Sequence, residues 1–234
     1  MVIENPWTGL RELTAARIAL GRCGHSLPTR ELLAFQLAHA RARDAVHQPL
    51  DVLSLSINPA FVLASAAGDR ATYLRRPDLG RRLDPASADR LIGGDWDAVL
   101  VVADGLSAIA VHRYATALID SLMPLLEGWR FAPVCVVRQG RVAIGDEIGE
   151  RMRARLAVVL IGERPGLSSP DSLGAYLTWA PQIGRTDAER NCVSNIRTGG
   201  RDPVRAARRI AALMRAARDQ KLTGVNLKTS GLLS

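Results

Sequence analysis

The chain has 234 residues, 47% hydrophobic and 23% charged, enough to bury a sizeable core in one domain or in a domain with a smaller lobe. No apolar run approaches eighteen residues, so no membrane-spanning helix is expected, and "MVIENPWTGL" lacks the basic start and apolar stretch of a secretory signal, so a cytoplasmic protein is expected. The formal charge of +8 rests almost wholly on arginine, lysine occurring only at positions 221 and 228, and aromatic residues are few; this reads as a compositional bias, with an acidic protein partner as the alternative, and not as a nucleic-acid surface.

In chain order, residues 8–21, "TGLRELTAARIALG", predict a helix that Thr8 caps and Gly21 ends. A second helix is expected after Pro28, with Thr29 as its cap; in "ELLAFQLAHARARDAV" Leu32, Phe35, Leu37 and Ala38 fall roughly on one side. "DVLSLSI" and "ATYLRRPDLGRRL" read as short strands and turns, and "DPASADRLIGG" as a short helix stopped by glycine. From residue 95 the pattern changes. "AVLVVA" (98–103), "PVCVVR" (133–138) and "LAVVLIG" (156–162) are short buried strands, separated by helices over about 107–127 and 146–155. "AYLTWA" (175–180) reads as a fourth, more exposed strand. "DPVRAARRIAALMRAARDQ" reads as a closing helix with Asp202 as cap and Pro203 at its first position.

Alternating strands and helices predict a parallel sheet with right-handed crossovers. The expected fold is α/β, a doubly wound, mostly parallel, Rossmann-like sheet over residues 93–234, with a mainly helical N-terminal lobe over 1–92. Ligands of such sheets bind off the carboxyl ends of the strands. Three loops, "ADGLS", "RQGRVAIGD" and "GERPGLSSPDS", are expected along that edge.

These loops match no phosphate-binding loop, dinucleotide fingerprint or nucleophile elbow, and contain no histidine for a Ser–His–Asp group. The four histidines have no ligand spacing, and three distant cysteines suggest neither a disulfide framework nor a zinc site. Asp104 and Asp146 read first as helix caps and second as acids or bases. Glu163 reads either as a ligand-facing carboxylate, beside Pro165 and Gly166, or as a solvated partner of Arg164. Cys192, taken singly, reads as a small buried hydrophobe.

Taken together, "ENPW", "LGRCG", "PTRELLAFQLAHARARDAV", "YLRRPDLGRRL", "ADGLS", "RQGRVAIGDEIG", "LIGERPGLSSPDSLGAYLTWAP", "GRTDAERNCVSNIR" and "GVNLK" resemble the small subunit of ethanolamine ammonia-lyase from about Glu4 to Lys228. The resemblance implies one subunit of a heteromeric enzyme that uses adenosylcobalamin to convert ethanolamine to acetaldehyde and ammonia by a radical mechanism. It implies a large-subunit partner that holds the substrate and catalytic groups. It also implies corrinoid contacts at Val142, Glu163 and Cys192, with no catalytic residue on this chain. No D-x-H-x-x-G loop is present, so the cofactor is expected to keep its own dimethylbenzimidazole on cobalt. Some relatives carry an N-terminal extension that directs them to a bacterial microcompartment; this chain starts almost at "ENPW", so any encapsulation is expected to come through a partner. A free-standing α/β small-molecule-binding or regulatory module is the alternative.

Overall fold

The computed structural model describes residues 7–14, 16–21, 24–57 and 59–227. Its six strands are β1 (Phe61–Ala64), β2 (Trp96–Ala103), β3 (Cys135–Arg138), β4 (Ala154–Gly162), β5 (Leu173–Trp179) and β6 (Arg190–Ile196), in one sheet of order β1-β3-β2-β4-β5-β6. The helices are α1 (Thr29–His47), α2 (Arg70–Arg75), α3 (Pro85–Asp89), α4 (Ala108–Leu122), α5 (Ile144–Met152) and α6 (Pro203–Gln220). Strands β1 to β4 pair in parallel, whereas β4–β5 and β5–β6 are antiparallel.

A parallel strand covered on both faces must be apolar at every position, and β2 buries every residue after Trp96. Leu100 and Val102 enter the cluster formed with α4 and α6, while Val99 and Val101 enter the one formed with α3 and α5. The sheet is therefore wound on both faces, as expected, but its last two strands depart from a Rossmann-like parallel order. The long helices start where local chemistry permits. Ser107 Oγ accepts from the Ala110 N–H at the start of α4, and Asp202 accepts from the Arg205 N–H at the start of α6, whose first residue is Pro203.

Several expectations change. In place of a helix over 8–21 there is a 3-10 turn, Thr8–Glu12, with no buried residue; so short a helix is marginal without a face to pack. "DVLSLSI" forms turns, and the edge strand β1 lies beyond it. "ATYLRRPDLGRRL" contains α2, whose cap Asp69 accepts from the Thr72 N–H. The expected helical lobe, 1–92, thus also supplies a sheet strand, β1. Thr29 opens α1 but does not cap it, the cap position being Pro28. Strand β5 is largely buried between β4 and β6, so it is not the more exposed strand expected. The polar stretch 190–196 is itself a strand, because an edge strand needs apolar residues on one face alone, here Val193 and Ile196. No described helix is long and apolar enough to cross a membrane.

Candidate functional site

The loops after β2, β3 and β4 meet on one edge, as expected. β2 leads into α4 on one face and β3 into α5 on the other, which opens a crevice where the connections part. Asp104 spans it. Its carboxylate accepts from the N–H groups of Gln139 (2.9 Å) and Gly140 (3.1 Å), and Arg70 Nη1 lies 3.8 Å away. Burial pushes this carboxyl up, and the two N–H groups and Arg70 offset only part of the rise. Asp104 is a clasp between two loops and not a helix cap; Ser107 takes that role.

Tyr73 is fully buried beside the clasp. Its ring lies 4.7 Å from the Arg70 guanidinium and 4.2 Å from that of Arg141, and its hydroxyl donates to Gly140 O (3.0 Å). Arg70 also donates to Gly105 O (2.8 Å) and to Val46 O (2.6 Å), tying the end of α1 to the crevice.

The apolar run of β4 ends on Gly162 for a steric reason. A Cβ there would lie 2.1 Å from Ser107 O, so the loop after β2 packs on a bare α-carbon, and Leu106 N–H donates to Gly162 O (2.9 Å). Glu163 follows, half-buried. Its N–H donates to Ser172 O (2.8 Å), continuing the β4–β5 ladder, so "GERPGLSSPDS" is a hairpin connection and not a strand-to-helix loop. Its Oε2 accepts from Ser172 Oγ and from Asn195 N–H (3.3 Å). Its Oε1 rests over Gly174, where a Cβ would come within 2.8 Å. Among the described residues no ion pair joins Glu163 to the exposed Arg164, so the solvated-pair alternative does not describe this carboxylate.

Val142 sits just before α5. With Glu163, Tyr73, Arg141 and Tyr176 it lines a cavity of 440 Å³; Val142 and Arg141 also line an adjoining cavity of 670 Å³ with Asp146 and Arg190. Two of the three expected contact residues thus share a cavity. Cys192 does not line it. It is an exposed, unpaired cysteine on β6, opposite Tyr176 on β5, and reaches the cavity through that tyrosine. Burial pushes the Tyr176 phenol up, and the neighbouring Cys192 and Glu163 add to the rise. Burial also raises the Cys192 thiol, while a hydrogen bond with Tyr176 acts the other way. Cys135 is the buried cysteine, pushed up to about 12 by burial alone; Cys23 lies outside the described residues.

Asp146 is also not a cap. Because α5 begins at Ile144, Asp146 falls inside the helix, where it forms a bidentate ion pair with Arg190. Among the described residues no group of three His, Cys, Asp or Glu side chains is placed to hold a metal ion.

On the α5 side of β5 and β6, Tyr176 and Cys192 form an open floor, bounded by Val142 and by the Glu163 carboxylate, which covers the buried Gly174. The bare Gly174 lets Glu163 and Tyr176 lie close to the strand. An acceptor, an aliphatic side chain and an aromatic ring around an open floor suit a flat apolar ligand rimmed with N–H donors. Tyr73, Arg141 and Tyr176 were not anticipated from sequence. The signal available was their rarity: the chain has three tyrosines, and two of them line this cavity.

Residues 4–228 match the family described as ethanolamine ammonia-lyase light chain (EutC). The ethanolamine ammonia-lyase small subunit of Pseudomonas paraeruginosa is 57% identical over 239 residues, covering 96% of this chain and 88% of the relative. The corresponding subunit of Azotobacter vinelandii is 56% identical over 239 residues, with the same coverage. That of Ralstonia nicotianae is 55% identical over 242 residues, covering 97% of this chain and 89% of the relative.

Proposed function

The chain belongs to the ethanolamine ammonia-lyase small-subunit family, and on that premise we propose that it is the non-catalytic, cofactor-binding subunit of a heteromeric lyase that converts ethanolamine to acetaldehyde and ammonia. In this reading it holds adenosylcobalamin at the interface with the large subunit, which carries the substrate. When bound, the cofactor supplies a carbon-centred radical by homolysis of its cobalt–carbon bond.

One observation carries the reading. Val142 and Glu163, from separate loops, line one cavity with Tyr176, and Cys192 stands opposite Tyr176 on the next strand. The residues fit the group. A corrin presents an apolar ring and a rim of neutral amides. Val142 and Tyr176 offer apolar surface, and Glu163, packed over the bare α-carbon of Gly174, offers a carboxylate acceptor. This chain's own part is to bind and orient the ring and to shield one side of it from water. The partner closes the other side, and enclosure protects a radical from side reactions.

Glu163→Ala in the assembled two-subunit complex tests this. A hydrogen bond to a charged acceptor is worth about 1.5–3 kcal/mol, so cobalamin affinity should fall roughly ten- to hundredfold, measured at temperatures where the variant is folded. Unchanged affinity, read by absorbance titration, would refute Glu163 as a corrinoid contact.

A further inference from the structure

We propose that Asp146 and Arg190 are positioning residues: their ion pair fixes the turn carrying Val142 against the strand carrying Cys192. The proposal rests on the cofactor reading above. Asp146 is the third residue of α5, four after Val142. Arg190 is the first residue of β6, two before Cys192 and therefore on the same face of the strand. Arg190 Nη1 donates to Asp146 Oδ1 (2.6 Å) and Nη2 to Oδ2 (2.7 Å), and each side chain is 2% exposed.

The same guanidinium gathers two further pieces of the site. Nη1 donates to Thr178 Oγ1 on β5 (2.8 Å), Nη2 donates to Arg185 O (2.8 Å), and Nε stands 3.5 Å from Asp187 Oδ1. Burial disfavours charge on Arg190, but the Asp146 carboxylate outweighs it and holds the guanidinium above its ordinary value. Both residues line the 670 Å³ cavity that shares Val142 with the Glu163 cavity.

A buried ion pair adds little net stability compared with an apolar pair of similar volume. What it adds is geometry, because a planar fork meets a carboxylate bidentately in one orientation. That geometry is placed where two expected contacts come from different elements, the turn before α5 and strand β6. Among the described residues no helix lies over this face of the antiparallel edge, and the fork ties its strand β6 to α5.

Arg190→Lys is the informative change, since it keeps the charge and loses the fork. In the complex with the large subunit, cobalamin affinity by absorbance titration is expected to fall about tenfold, measured well below the melting temperature. Asp146→Asn, which keeps one acceptor, is expected to lose less; it also serves if Arg190→Lys does not fold. The decisive readout is a double-mutant cycle with Val142→Ala. If the pair acts through the Val142 turn, the combined loss is smaller than the sum of the two single losses. Additive losses, or a lowered melting temperature with unchanged affinity, would overturn the positioning role. Glu163→Ala and Val142→Ala as single changes separate the two levels. If neither weakens cobalamin binding, the cofactor reading itself fails; if they do and Arg190→Lys does not, the positioning role alone fails.

Discussion

From β1 to β4 the sheet carries helices on both faces, with α4 on one side and α3 and α5 on the other. Across β5 and β6, α4 and α6 cover one face, and among the described residues no helix lies over the other; α5 touches it through the Asp146–Arg190 pair. The same sheet is thus closed in its parallel part and open in its antiparallel part. The expected contacts follow the boundary between the two. Glu163 follows the last parallel strand, Val142 precedes α5, and Cys192 stands on the uncovered strand. Cover buries apolar surface for stability, and the missing cover leaves a floor that a ligand and a second protein can fill.

The sharpest way to break this comparison is to damage the closed part alone. Leu100 in β2 is fully buried between α4 and its neighbouring strands. Leu100→Ala removes that side chain from a packed interior and should cost about 2–5 kcal/mol of unfolding free energy. Cobalamin affinity of the complex should stay near the parent value at temperatures where the variant is folded. A large affinity loss with a normal melt would mean that the closed part reaches the site more directly than its packing suggests.

The closed part was also the legible part. Short Val-rich runs read by length and composition as strands buried on both faces; outside that part, Asp202–Pro203 marks the start of α6 by local chemistry. The open part was misread because its signals are weaker. β6 carries Arg190, Cys192 and Ser194 on the face away from its apolar residues, so those apolar residues do not form a run. "AYLTWA" looked exposed because one of its faces carries Tyr176 and Thr178, whereas pairing on both sides buries it. Asp104 and Asp146 precede or begin helical sequence and so resemble caps; only the fold brings Gln139 and Gly140 to the first and Arg190 to the second. Local sequence cannot report a partner tens of residues away. Glu163 was legible as one of two readings of its loop, whereas Val142 and Cys192 were picked out as contacts only through family resemblance, since nothing in their spacing links them.

Tyr176 tests the open part from the other side. It is half-buried on the floor, next to Glu163 and opposite Cys192. Tyr176→Ala should weaken cobalamin binding about tenfold, or about 1.4 kcal/mol, while costing less stability than Leu100→Ala. Tyr176→Phe keeps the ring and should retain most of the affinity. Equal losses in the two variants would assign the effect to the hydroxyl and its contact with Cys192, and no loss in either would remove Tyr176 from the floor.

The smallest expected effect separates the two parts by pH. Glu147 on α5 accepts from Arg82 Nε (2.9 Å), Leu83 N–H (3.0 Å) and Arg151 Nε (3.2 Å), joining α5 to the segment between α2 and α3 in the closed part. Burial pushes its carboxyl up, but these donors outweigh burial and hold it below its ordinary value. A carboxyl with a lowered folded value binds its proton more readily in the unfolded chain. Its contribution is therefore fully present above the unfolded value, about 4.3, and is lost as pH falls through the lower folded value. Arg82 and Arg151 are about half exposed, so solvent screens the pairs and the effect should stay near or below about 1 kcal/mol. Thermal melts between pH 7 and pH 3 should show Glu147→Gln less stable than the parent at pH 7 and closer to it at pH 3. A constant difference across that range would mean that Glu147 stabilises the closed part through its shape and not through its charge.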